Sequence, residues 1–508
     1  DTSTQSKNTY ADAITTLNKS FNDWSVNVNL GVSLSDSRYE MIGYEGGLKL
    51  INFFAVHNID FNKAWKAKQS GWHDQTRAIF ANAEIGWKSM IYLTATGRND
   101  WDSRLAFSDY KSFFYPSIGL SAILTSMFNA PDWLTYLKVR GSYTEVGNSY
   151  GRFMTTVTYP YDEQTQSWTS TSSYPNTKLK PERTKSWEVG LDARILNDIS
   201  LNLTYYRSNT YNQTFYADLS LSSGYSNIPI QSGNIMNEGL EMSLGYNKQW
   251  KDFSFNTNYT LTWNKNRVKR LADGVYNYAT GQPIQMPELS PLTYGHTDAR
   301  LILRVGGSMG DVYGQRLLKR DLNGYILNEE GVGLAMENKE TYLGSILPKM
   351  NMGWSLGFGY KGVNLGMTFT GRFGGIVISE TQSVLDAAGV SKVSADVRDA
   401  GGVQINQSKV SAQTYYQTIQ GTAAYYTYSA TNVRLGELSL SYTLPKKWFD
   451  NKVGMTVGLV GKNLWMIYCK APFDPELTTS AASNFYQGFD AYMLPSTRNF
   501  GFNVKFQF

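Results

Sequence analysis

Long apolar runs are what this 508-residue sequence most plainly lacks. No stretch approaches the roughly 18 consecutive apolar residues of a membrane-spanning helix, so a helical membrane protein is excluded. Cysteine is nearly absent: Cys469 stands alone, which rules out an internal disulfide or a cysteine-based metal cluster and reads as a packed residue. Histidine is limited to His57, His73 and His296, far apart and in expected loops, without the spacing of a zinc site or a Ser-His nucleophile pair. No catalytic, metal or cofactor site is therefore expected, and the protein is not read as an enzyme. Charge is sparse as well, at 18% against roughly 25% for a typical soluble domain. The net +5 is not gathered into a run, so nucleic-acid binding has no support. The opening DTSTQSKNTY has no basic or apolar leader; either a signal has been removed or the chain is part of something longer.

What is present is alternation. Glycine (45), tyrosine (35) and phenylalanine (24) are abundant, and residues with period two recur from end to end. In 24–34, WSVNVNLGVSL, the apolar side chains Trp24, Val26, Val28, Leu30, Val32 and Leu34 oppose Ser25, Asn27, Asn29, Gly31 and Ser33. Segments 253–263, 350–360 and 363–373 are as clean, and 499–508 alternates to the last residue. Weaker versions lie near 10–21, 78–88, 90–98, 115–124, 134–146, 187–196, 199–216, 239–248, 433–444 and 453–467, about fifteen strands in all. Short turns such as 87–89, 196–198, 249–252 and 361–362 alternate with long loops, about 35–74, 147–186, 269–349, 374–432 and 468–494. Strands of roughly 9–11 residues, tight at one end and long-looped at the other, are those of a transmembrane β-barrel. Trp24, Trp87, Trp133, Trp187, Trp263, Trp448 and Trp465 fall near strand ends, as interfacial girdles do. A soluble sandwich or propeller would instead need its greasy face covered by another sheet.

A polar face of Asn, Ser, Thr and Gly, with Arg372 and Lys505, describes a wide lumen that is water-filled or plugged. Single-chain bacterial barrels have even strand numbers. One overlooked strand gives a sixteen-stranded porin; several make this the C-terminal part of a larger barrel such as the 22-stranded plugged transporters.

The residues then show a resemblance. GRNDWDSRLAFSDYKSFFYPSIGLSAIL (97–124), LKPERTKSWEVGLDARILNDISLNLTYYRSNTYNQTF (179–215), YLGSILPKMNMGWSLGFGYKGVNLGMTFTGRFGG (342–375) and the closing VRLGELSLSYTLPKKW and PSTRNFGFNVKFQF segments resemble, in order, the barrel motifs of SusC/RagA-type TonB-dependent outer-membrane transporters. The resemblance implies an all-β transmembrane antiparallel barrel in the outer membrane of a Gram-negative bacterium, with about 15 strands of an expected 22 in this chain. It implies import of a glycan, oligosaccharide or peptide nutrient. Its implied partners are a SusD-type lipoprotein lid, the TonB complex acting through a plug, outer-membrane lipid, and a second barrel–lid pair in a dimer. The plug, the TonB box and about seven strands have no counterpart in the sequence, and are expected to lie outside it. Phe508 is then expected to close against a strand preceding Asp1. Phe502, Val504, Phe506 and Phe508 resemble the signal read by the barrel-assembly machinery.

Three loops combine aromatic rings with amide groups, a pairing suited to sugars or peptide backbone: 276–296, 414–429 and 471–492. Tyr276, Tyr278, Tyr294, Tyr415, Tyr416, Tyr425, Tyr426, Phe473, Phe485 and Tyr486 are the candidate substrate or lid contacts, with packing inside the loops as the alternative. DLNGYILNEEG (321–331) misses the calcium-loop spacing and reads as a turn at Asn323-Gly324. A self-contained 14- or 16-stranded diffusion porin and a surface adhesion barrel remain the other two classes.

Overall fold

A computed structural model of the chain describes all residues except 1, 64, 163–166, 232, 277–280, 287, 330–332, 478 and 481–483. Its frame is one antiparallel sheet of fifteen strands joined in strict sequence order. These are β1 (Thr2–Phe21), β2 (Trp24–Gly46), β3 (Trp65–Trp87), β4 (Ile91–Asp102), β5 (Phe113–Ile123), β6 (Leu134–Asn148), β7 (Glu182–Ile195), β8 (Ile199–Tyr211), β9 (Asn234–Trp250), β10 (Phe253–Arg270), β11 (Met350–Tyr360), β12 (Val363–Phe373), β13 (Asn432–Leu444), β14 (Gly454–Cys469) and β15 (Asn499–Gln507). Among the described residues β1 and β15 pair on one side only and are the two edges of the sheet. No described helix is long and apolar enough to cross a membrane.

The odd-to-even connections, from β1–β2 to β13–β14, run from two to ten residues, and the even-to-odd ones from ten to seventy-nine. The β11–β12 turn shows why two residues suffice. Lys361 and Gly362 both have positive φ, 45° and 89°, the geometry whose twist matches that of the strands it joins. Short turns at one end place all the loops at the other.

The faces are inverted relative to a soluble protein. On β2, Gly31 and Ser33 are buried while Leu30 and Val32 stand 49% and 51% exposed. Such a surface is stable only in a solvent that is itself apolar, so the exposed face is the lipid face. Ten residues separate Phe253 from Trp263 on β10, a height of about 25 Å at the usual rise and tilt. That matches the apolar band of an outer-membrane barrel. Tryptophans border the band on both sides: Trp24, Trp133, Trp250 and Trp448 at the short-turn end, Trp101, Trp187, Trp263 and Trp465 at the loop end, all exposed.

The expected loop 35–74 is corrected by the register. β2 and β3 stay paired from Trp24↔Trp87 to Gly46↔Trp65, leaving only 47–64 outside the ladder. Above the apolar band both faces meet water, so the alternation that marks a membrane strand fades in SDSRYEMIGYEG although the backbone ladder continues. The opposite correction applies to 199–216, where the wall strand ends at Tyr211 and Thr214–Asp218 pairs instead with Asn227–Gln231 as a separate hairpin. At 321–331 the described residues form a turn. Asp321 accepts from the N–H groups of Asn323 and Tyr325, Gly324 has φ 85°, and Arg320 bridges to Ile326.

The lipid face is tested by Leu30→Arg, a guanidinium inside the apolar band. It should destabilise the folded protein in lipid vesicles by about 2–4 kcal/mol in urea titration, while Asn29→Arg on the opposite face should change little. Equal effects would mean the faces are misassigned.

Candidate functional site

The polar face is organised by the alternation of the 97–102 segment. Arg98, Asp100 and Asp102 point inward, and Gly97, Asn99 and Trp101 outward, because their register partners Phe80, Ala78 and Thr76 lie on the inner side of β3. Arg98 bonds Asp100 at 2.7 Å, reaches Ser33 at 3.4 Å and lies over the Phe80 ring, with 5.5 Å to its centroid. The far edge of the Phe80 ring in turn lies over Gly31, where a Cβ would fall 2.2 Å from it. Glycine is required there by close approach rather than by backbone conformation. Tyr115 donates to Asp100 (2.8 Å), and Asp102 accepts from Arg104 (2.6 Å) and from Ser149 (2.7 Å). The charges are thus paired within the wall.

Above this network the inner side of the β2–β3 hairpin carries an aromatic stack. Tyr39 and Trp72, directly opposed in register, stack at 5.8 Å with planes 9° apart. Arg152, from the β6–β7 connection, lies 3.5 Å from the Trp72 centroid and bonds Asp74 at 2.5 Å. A cleft of about 770 Å³ lies beside the stack, lined also by Pro160 and Tyr161.

Three long connections, 271–349, 374–431 and 470–498, interlock into one cap. The first contributes a four-stranded sheet of Glu288–Thr293, Arg300–Arg304, Asp311–Leu318 and Met336–Ser345. The second contributes helices α1 (Glu380–Ala387), α2 (Lys392–Asp399) and α3 (Ala412–Ile419). Each starts at a serine, Ser379, Ser391 or Ser411, whose hydroxyl accepts from a free first-turn N–H. Ile376–Ser379 pairs with Thr427–Ser429 and, in parallel, with Phe489–Asp490, so the second and third connections share a sheet. Asp298 ties the first to the second by accepting from the N–H groups of Gln315, Arg316 and Ala423.

The cap's attachment to the wall is ionic. Arg434 on β13 makes a two-pronged bond to Asp474 at 2.8 and 3.0 Å, lies 3.2 Å from Glu476, and also donates to Asn432. Arg434 is buried, and the Asp474 side chain is only 8% exposed. Arg372 on β12 donates to the Ile346 carbonyl at 2.8 Å and so holds the other side of the cap. Burial pushes the Asp474 carboxyl up, but the hydrogen bond from Arg434 and the backbone N–H of Glu476 outweigh it and hold the group below the usual carboxylate range. Between the cap and β10, a cleft of about 600 Å³ is lined by Asn264, Asn266, Asp311, Tyr342 and Lys349. Burial raises the Asp311 carboxyl, although Ser308 and Tyr342 donate to it. Burial and the nearby Asp311 carboxylate push Tyr342 up to about 12.

The sequence-predicted contacts fall mostly within the cap. Tyr294 is fully buried, donates to the Phe485 carbonyl at 2.7 Å, and packs against Tyr486 and Phe489; Phe485 and Tyr486 are part-buried beside it. Tyr416 and Tyr426 are buried in the second core, with Tyr415 and Tyr425 packed against it. The Tyr425 hydroxyl accepts from the Leu318 N–H. Phe473 meets the edge of Tyr428 at 5.6 Å. Tyr276 is exposed, and Tyr278 lies outside the described residues. Tyr294, Tyr416 and Tyr426 therefore offer no free ring face in this arrangement, because loops of this length bury a core of their own. All of β15 is exposed, Phe502, Val504 and Phe506 included, and Phe508 follows it. Sequence reasoning missed Tyr39 and Trp72, which sat in an expected loop, and the Arg434–Asp474 pair, whose partners are forty residues apart. No cluster of His, Cys, Asp and Glu that could hold a metal occurs among the described residues.

Arg434→Ala leaves Asp474 buried without its partner and should cost about 3–5 kcal/mol locally. Amide exchange across 470–498 should accelerate while the wall strands stay protected. Because the folded Asp474 lies below its unfolded value, its contribution is present above pH about 4 and lost as pH falls through the lowered folded value. Exchange followed from pH 7 to 3 should show this connection loosening only in the acidic limb.

The family described as "TonB dependent receptor-like, beta-barrel" matches residues 1–464. TonB-dependent receptor P3 of Formosa agariphila is 24% identical over 98% of this chain and 52% of its own length. SusC of Bacteroides thetaiotaomicron is 25% identical over 47% of this chain and 22% of its own. The RagAB peptide transporter superposes with a TM-score of 0.77 at 19% identity, covering 99% of this chain and 55% of that one. The chain spans about half the length of the curated relatives it matches most fully. With the inverted faces, the fifteen-stranded ladder and the SusC/RagA-like motifs in hand, the chain belongs to the β-barrel family of the TonB-dependent receptors, a family of outer-membrane proteins that are not enzymes.

Proposed function

We propose that this chain forms the C-terminal wall and extracellular cap of a TonB-dependent outer-membrane importer for a peptide or glycan too large for a porin. The observation that carries the proposal is the interlocked cap. Three connections are built into one packed unit over a polar lumen and held to the wall by the buried Arg434 pair. A simple diffusion pore has no use for such a unit, and an adhesion barrel has none for a polar lumen. The Tyr39–Trp72–Arg152 stack supplies ring and guanidinium surface at the mouth, suited to peptide backbone or sugar.

The two sheet edges support the presence of further strands. An open edge in lipid leaves N–H and C=O groups unpaired at several kcal/mol each, so β1 and β15 are to be closed by about seven strands that reach the family's 22. A plug inside that barrel would couple to TonB. The seam at β15, with Phe502, Val504, Phe506 and Phe508, would also serve as the assembly signal, and two barrel–lid pairs would form the dimer. A SusD-type lipoprotein lid is supported by the apolar side chains left exposed on α1 and α2 and between them: Leu385, Val390 and Val393. Isolated surface apolar residues are ordinary, whereas clustered ones mark contact sites.

Two measurements test this. Val390→Asp combined with Val393→Asp should reduce co-purification of the lipoprotein at least tenfold while the barrel still assembles; unchanged recovery removes the lid contact from this surface. Uptake of labelled oligopeptides and oligosaccharides should fall to background on deletion of the gene or of TonB, and about three- to tenfold for Trp72→Ala, in keeping with the loss of one aromatic stack. Uptake that survives gene deletion would favour adhesion; uptake that needs the gene but not TonB would favour a porin.

A further inference from the structure

The outer side of the β1–β3 hairpins carries a charge arrangement that neither transport nor lid docking uses. Register sets Lys7 opposite Arg38, and Arg38 opposite His73. Three basic side chains thus stand in one cross-strand row, on the face that lower down carries Val32, Leu34 and Ile79. Lys7 and Arg38 are like charges directly opposed across antiparallel strands, an arrangement that destabilises the pairing. One carboxylate serves the row: Asp36 lies 2.6 Å from His73 Nε2 and 3.4 Å from Arg38 Nε. Two side-chain rows below, Arg77 donates to Gln75 at 2.9 Å. Among the described residues it forms no ion pair.

Arg77 also borders a groove of about 800 Å³ whose other side chains are largely apolar, among them Ala11, Ala13, Val32, Leu34, Ile79 and Trp101. The small side chains of Ala11 and Ala13 leave its floor open. Heights follow from the strand rise. Arg77 lies ten residues above Trp87, about 25 Å, at the top of the apolar band, and the basic row lies about 10 Å higher. Acyl chains end and lipid headgroups begin between those two levels. Arginine pairs with phosphate through two parallel hydrogen bonds, and a phosphate among these cations would supply the charge that Asp36 alone does not.

We propose that this face binds an outer-leaflet lipid that carries phosphate, with an acyl chain in the groove over Ala11 and Ala13 and phosphate held by Lys7, Arg38 and Arg77. The site rests on the outer-membrane placement proposed above but not on transport.

The test uses the full-length protein in detergent, titrated with bis-phosphorylated lipid A and with the same lipid after dephosphorylation, and read by native mass spectrometry. Wild type should retain the phosphorylated form at least tenfold more strongly. Lys7→Gln, Arg38→Gln and Arg77→Gln together should erase that preference, and Ala13→Phe should lower retention of both lipids by filling the groove. Heat-modifiable gel mobility confirms that each variant is folded. Equal retention of the two lipids by wild type, or an unchanged preference in the triple variant, overturns the proposal. Full displacement by millimolar inorganic phosphate overturns it in favour of a free-anion site. Absence of TonB-dependent uptake alongside an intact lipid preference would count against the transporter reading alone.

Discussion

Backbone hydrogen bonding between neighbouring strands is the interaction on which everything else here depends. In a hydrocarbon solvent water cannot satisfy an N–H or C=O, so each strand needs a partner along the whole of its buried length. The fifteen strands meet this by pairing only with their sequence neighbours, which puts links of two to ten residues at one end and the longer loops at the other. Placing the loops together in turn allows three of them to build a common cap. Among the described residues β1 and β15 are paired on one side only, and they are the edges of this sheet.

Side-chain polarity is read against that ladder. With lipid outside, leucine, valine and tryptophan are at home on the exposed face, and the small polar residues face inward. The inner charges then need partners close by, which is why Arg98 and Tyr115 gather on Asp100, and Arg104 and Ser149 on Asp102. At the loop end the same logic becomes structural. Arg434 reaches across to Asp474 and Glu476, so a residue of the wall fixes a loop forty residues away. Removing either partner would strand a buried charge, which makes the contact a firm anchor even where its net contribution to stability is small.

The wall strands were legible because a membrane strand must repeat polar and apolar residues with period two, and a one-residue slip would turn every side chain to the wrong solvent. β10, β11 and β12 therefore begin or end within a residue of where alternation starts or stops. β2 and β3 were underestimated because their upper halves leave the lipid, where pairing persists without alternation. The cap was not legible as a cap. Tyr294 and Tyr426 look alike in sequence to Tyr276, yet two are core and one is exposed. An aromatic residue in a loop carries no local sign of whether another loop will cover it.

The class of fold, the identity of the lipid-facing side chains and the family resemblance all follow from local periodicity or a contiguous motif, and so are written along the chain. Which loop aromatics are buried, that Arg434 and Asp474 meet, and that Lys7, Arg38 and His73 share a row emerge with the folded chain. Those relations join residues from 31 to 40 positions apart or more. They depend on register and on loop packing, which set distances in space that no spacing along the chain records.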